Sequence, residues 1–113
     1  MINKEIALSY LMNNQTIYYN ILNDFYNKYI VIINELDELY NKDKNAFYKI
    51  CHDIKGLSMY VGACNLFEIS SFINNLYINN KKIKETIIKE FIMELKTVLK
   101  EIEEIINGRK YEI

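Results

Sequence analysis

From Thr16 onward, apolar positions recur at spacings of three and four: Ile17, Ile21, Leu22, Phe25, Tyr29, Ile32, Ile33, Leu36 and Leu39. An α-helix brings residues at that spacing onto one face, so the pattern predicts a long amphipathic helix from Thr16 to near Tyr40. It should end there, because Asn41-Lys42-Asp43 is a polar turn and Asp43 is suited to cap the next helix. A second stripe, Phe47, Ile50, Cys51, Ile54, Leu57, Ser58 and Val61, runs up to Gly62, which can adopt the positive φ of a helix terminus. A third helix should start near Asn65, with Leu66, Ile69, Phe72, Ile73 and Leu76 inward, and turn at Asn79-Asn80-Lys81-Lys82. Ile83, Ile87, Phe91, Leu95, Val98, Leu99, Ile102 and Ile106 make a fourth stripe that ends at Asn107-Gly108. Ahead of all these, Ile6, Leu8, Tyr10 and Leu11 suggest a small helix plugging one end of a bundle, before the polar break Met12-Asn13-Asn14-Gln15-Thr16.

Four long stripes with short connections imply neighbours packed antiparallel. The expected fold is all-α: an antiparallel up-and-down four-helix bundle with a short extra N-terminal helix, one domain over residues 1–113 with its core at about 16–107. Composition agrees, since half of the residues are hydrophobic and there are no prolines and only three glycines to make tight turns. A net charge of −1, from 14 basic and 15 acidic residues, gives no footprint for nucleic acid or an anionic membrane. No apolar run approaches the ~20 residues that span a bilayer, and neither end reads as a secretion signal. A cytoplasmic protein is expected, with Cys51 and Cys64 reduced and each placed like a buried core thiol. No surplus apolar stripe demands a dimer, so a monomer is expected.

The chemistry centres on His52, the only histidine. At about 100° per residue it falls roughly 160° from the stripe centred on Ile54 and should face water. Tyr48, Lys55, Gly56 and Met59 fall on the same outward face. Neutral imidazole can attack phosphorus without a strong general base. Lys55, one turn on, can offset the charge of phosphoryl oxygens. Gly56 is anomalous inside a helix, where it costs about 0.5–1 kcal/mol relative to alanine. Lacking a side chain, it leaves room for a partner's loops and the phosphoryl group. Taken singly, each feature has a plainer reading: a solvated histidine, an ordinary surface lysine, a glycine at a close helix crossing or a kink. In a glycine-poor chain, their combination with Gly62 points to function.

The residues His52-Asp53-Ile54-Lys55-Gly56, followed by Gly62-Ala63-Cys64-Asn65-Leu66, resemble the signature of the histidine phosphotransfer (HPt) family: His-x-x-Lys-Gly, then Gly-Ala, two residues and Leu. The likeness covers about residues 16 to 106. It implies that His52 is the phosphoacceptor, that Lys55 supports the phosphoryl group, that Gly56 gives clearance and that Gly62 shapes the turn between the second and third predicted helices. It further implies a bacterial-type phosphorelay in which a receiver domain docks over His52. The partners would be that response-regulator receiver domain and a hybrid or sensor histidine kinase. Two positions depart from the pattern: Leu57 stands where a small residue is usual, and Asn74 where an acidic one is. Neither is expected to touch the histidine chemistry.

With glycine only at 56, 62 and 108, no glycine-rich phosphate cradle can be assembled, so the chain is expected to be a phosphoryl carrier and not a stand-alone enzyme. No cofactor or metal is expected on it; the receiver would supply its own divalent ion. The main rival is a helical adaptor that binds signalling partners without phosphotransfer, for which exposed Tyr48, Met59 and Tyr60 would serve equally well as contacts. A metal site from Cys51, His52 and Cys64 is disfavoured, because Cys51 should point inward and His52 outward. The dimerisation helices of a histidine kinase also carry a phosphorylated histidine but normally continue into an ATP-binding domain.

Overall fold

The structure is a computed structural model describing residues 1–109, and it is all-helical over them. The helices are α1 (Lys4–Tyr10), α2 (Gln15–Ile30), α3 (Leu36–Lys42), α4 (Lys44–Val61), α5 (Cys64–Ile78) and α6 (Glu85–Arg109), with a single 3₁₀ turn at Ile33–Glu35. Three of the starts are fixed by side chains that satisfy otherwise unpaired N–H groups. Asn3 accepts from the Ile6 amide at 3.1 Å, Asn14 from Ile17 at 3.0 Å, and Asp43 from Ala46 at 3.1 Å, the last as expected.

The long helix expected from Thr16 to Tyr40 is broken. Ile30-Val31-Ile32-Ile33 is a run of β-branched residues, which crowd the preceding helical turn. Here the backbone tightens to three-residue bonds, Ile32 N to Tyr29 O at 3.2 Å and Glu35 N to Ile32 O at 2.9 Å. Two expected inward residues lie outside: Ile17 is 44% exposed and Phe72 50% exposed. The stripe α2 buries is Tyr18, Leu22, Phe25 and Tyr29, and Ile17 falls roughly 140° from Leu22.

The core is shared by α2, α4, α5 and α6. Each packs on two of the others: α2 on α4 and α6, and α5 on α4 and α6. Phe47 of α4 meets Phe91 of α6 edge-on at 5.8 Å, and Tyr40 of α3 packs edge-on against Phe47 at 5.3 Å. Among the described residues no helix is long and apolar enough to cross a membrane.

The N-terminal segment lies against this core. Within α1, Ala7 is fully buried, and α1 packs chiefly on α4. Gly62 closes α4 at φ +84°, with its N–H donating to Met59 O and the Ala63 N–H to Ser58 O at 2.9 Å. Its carbonyl then accepts from the Asn3 N–H at 2.8 Å. A Cβ at Gly62 would run into the Asn3 backbone, so this glycine is demanded both by its φ and by the close approach of the N-terminal segment.

Candidate functional site

Helix α4 runs unbroken through Gly56 and presents His52 to solvent. Lys55 and Met59 are half-buried along the same flank, Gly56 is exposed, and Gly62 sits buried at the helix end. Lys55 has no ion-pair or hydrogen-bond partner among the described residues, so its ammonium is unengaged one turn from His52. Lys49, one turn before His52, is also exposed, and the two lysines bracket the imidazole along the helix. Asp53 lies on the side of α2, where burial, reinforced by the Asp53 charge, pushes the Tyr29 hydroxyl up to about 12.

Helix α5 supplies a contact that the sequence pattern did not anticipate. Asn74, only 7% exposed, places its Oδ1 3.3 Å from Nδ1 of His52. A carbonyl oxygen can only accept, so in this pairing Nδ1 carries a proton, and in the neutral ring the lone pair is then on Nε2. Nε2 is thereby left as the basic nitrogen of the ring. Asn74 therefore does touch the His52 ring, where the sequence reading kept it apart from the histidine. An acidic side chain there would accept the same proton, and asparagine does so without adding a charge.

Tyr48 is not an outward residue. Only 8% exposed, it is stacked on Tyr77 of α5 at 4.4 Å between centroids and 27° between planes. Tyr40 meets it edge-on at 6.3 Å, and burial, reinforced by Tyr40, pushes its hydroxyl up to about 12. The wheel of a single helix puts Tyr48 about 40° from His52, on a flank that α5 covers. Its role is to clamp α4 to α5 one turn from His52, helped by the Tyr77 hydroxyl donating to Asn45 Oδ1 at 2.8 Å. Tyr60 is 39% exposed and packs edge-on against Tyr10 of α1 at 6.1 Å.

Beyond its own helical backbone and chain neighbours, Gly56 has no atom within 4 Å of where a Cβ would stand, and its φ is not positive. Neither a close helix crossing nor a turn accounts for it. Cys51 is fully buried, its thiol pushed well above the ordinary range by desolvation, whereas Cys64 is only half-buried, with Sγ 3.9 Å from Gly62 O. Among the described residues no three His, Cys, Asp or Glu side chains are gathered to hold a metal ion.

The chemistry available is thus that of a solvent-facing nucleophilic nitrogen, its ring held from behind by Asn74, with two lysines alongside and open space at Gly56. Comparison with protein-family models, with curated proteins and with solved structures gives no match to this chain.

Proposed function

We propose that the chain is a phosphorelay intermediate of the HPt type, which accepts a phosphoryl group on Nε2 of His52 and passes it to a receiver-domain aspartate. The observation that carries this reading is the conjunction at α4: an exposed His52 with Nδ1 engaged by Asn74, an unengaged Lys55 at +3, and a Gly56 that nothing in its own fold requires. The mutual packing of α2, α4, α5 and α6 supports reading the core as an antiparallel four-helix bundle, with α3 continuing α2 beyond the break and α1 added at one end.

In the transfer, the Nε2 lone pair attacks phosphorus and the P–O bond to the donor aspartate breaks, its electron pair returning to the carboxylate. The Nδ1 proton stays on the ring and faces Asn74, which disperses the positive charge that develops on the imidazole. Lys55 and Lys49 face the phosphoryl oxygens and offset their negative charge. Gly56 leaves the space that the partner's loops need to bring its aspartate in line.

The test is incubation of the purified chain with a phosphorylated receiver domain, comparing wild type with His52→Gln. An acid-labile, base-stable label on wild type that is lost in the variant is expected. Absence of label with several receivers, from a chain shown to be folded, would favour the adaptor that docks signalling partners without carrying phosphate.

A further inference from the structure

Helices α5 and α6 meet along a groove on the side of α5 away from Asn74 and His52. It has a volume of about 620 Å³ and an apolar floor of Ile69, Phe72, Ile87 and Met93. Phe72 and Met93 are 50% and 68% exposed, although both are large apolar side chains in regular helices. The charged residues lining it are all acidic: Glu68, Glu90 and Glu94. Glu68 is the one charged residue of α5. On α6, the turn of about 100° per residue places Glu90 and Glu94 to one side of Met93 and Lys89 and Lys96 to the other, so over residues 89–96 the acidic side chains lie on the groove side and the basic ones away from it.

From this we infer that the α5–α6 groove is a second interaction surface, built to seat a cationic amphipathic helix of a protein partner. The lining residues span about two helical turns of α5, residues 65–72, and about three of α6, residues 87–97. An incoming helix can lay apolar residues at i, i+3 or i+4 and i+7 onto Phe72 and Met93 while its lysines or arginines reach the glutamates. An acidic rim repels the phosphates of nucleic acid and anionic lipid, which leaves a basic protein segment as the complementary occupant. The inference does not depend on His52 being phosphorylated. A partner seated here leaves the His52 face of α4 free, so the chain can hold one protein while a receiver docks on another side.

The experiment uses the ¹⁵N-labelled full chain and two synthetic helices of about three turns, one built of Leu and Lys and the other with Glu in place of Lys. The Leu/Lys helix is expected to shift amides of residues 65–72 and 87–97, to weaken as salt rises, and to bind His52→Gln as well as wild type. Affinity is expected to fall about tenfold or more in Glu90→Lys/Glu94→Lys and in Met93→Ser, whose exposed site spares the fold. Equal binding of the Leu/Glu helix, shifts centred on residues 48–59, or unchanged affinity in both variants would overturn the inference. So would concentration-dependent shifts of the groove residues without any added helix, which would make a second copy of the chain the occupant.

Discussion

At Gly56 stability and function are expected to part. Beyond its own helical backbone and chain neighbours, nothing lies within 4 Å of the missing Cβ and the backbone is ordinary helix, so Gly56→Ala should stabilise the fold by about 0.5–1 kcal/mol through helix propensity alone. If the space serves a docking partner, the same variant should slow phosphotransfer about tenfold or more; a stabilised variant that transfers at the wild-type rate would remove the role given to this glycine. Asn74 makes a complementary case. Asn74→Ala removes the acceptor facing Nδ1, so the imidazole ¹⁵N shifts should move toward a mixture of tautomers and the transfer rate should fall, with the helix content kept. A rate loss without a tautomer change would assign Asn74 to packing alone. The outward placement of His52 was legible in the sequence because it needs only the periodicity of one helix. Tyr48 and Asn74 were not, because their roles depend on which flank of α4 is covered by α5, a relation between helices that no single stripe contains.

Helix positions were legible for the same reason, and the one large departure shows where periodicity is blind. Tyr29, Ile33, Leu36 and Tyr40 keep three- and four-residue spacing straight through the 3₁₀ turn, so an apolar stripe reads as one helix whether or not the backbone tightens at Ile32. The signal that was present lay in side-chain shape, four β-branched residues in a row, and not in hydrophobicity. A small helix at one end was legible from Ile6, Leu8, Tyr10 and Leu11, but its anchor was hidden, since that is a backbone bond from Asn3 to Gly62 that no side-chain pattern encodes. That anchor gives a prediction. Gly62→Ala forces a Cβ into a left-handed residue and against the Asn3 backbone, and should cost about 2 kcal/mol or more in denaturant unfolding. It should also release α1, seen as loss of the Tyr10–Tyr60 ring contact by NMR, before the rest of the core melts. A variant of wild-type stability with that contact intact would mean that α1 is held by Ala7 and its neighbours, not by the turn.

Across the whole molecule, the charges that folding excludes are tyrosinate and a buried thiolate. The chain has ten tyrosines, and Tyr18, Tyr29 and Tyr48 are buried with hydroxyls pushed up to about 12 from an ordinary 10.0. Desolvation is the leading cause in each, and Tyr18 and Tyr29 have no hydrogen-bond partner for their buried hydroxyls among the described residues. The thiol of Cys51 is raised in the same way from its ordinary 9.0. A pKa higher in the folded state than in the unfolded one means the folded state holds its proton more tightly. The stability the three tyrosines contribute is therefore complete below about pH 9 and lost as pH rises through about 10 toward about 12. Helical circular dichroism should hold to about pH 9 and then fall over that window, with part of the tyrosinate absorbance appearing only as the helices are lost. Tyr18→Phe/Tyr29→Phe removes two hydroxyls that must stay protonated in the fold, so it should move the alkaline midpoint upward. If all ten tyrosines instead ionise near pH 10 with the helices intact, water reaches the interface of α2 with its neighbours, and the core there is looser than its burial implies.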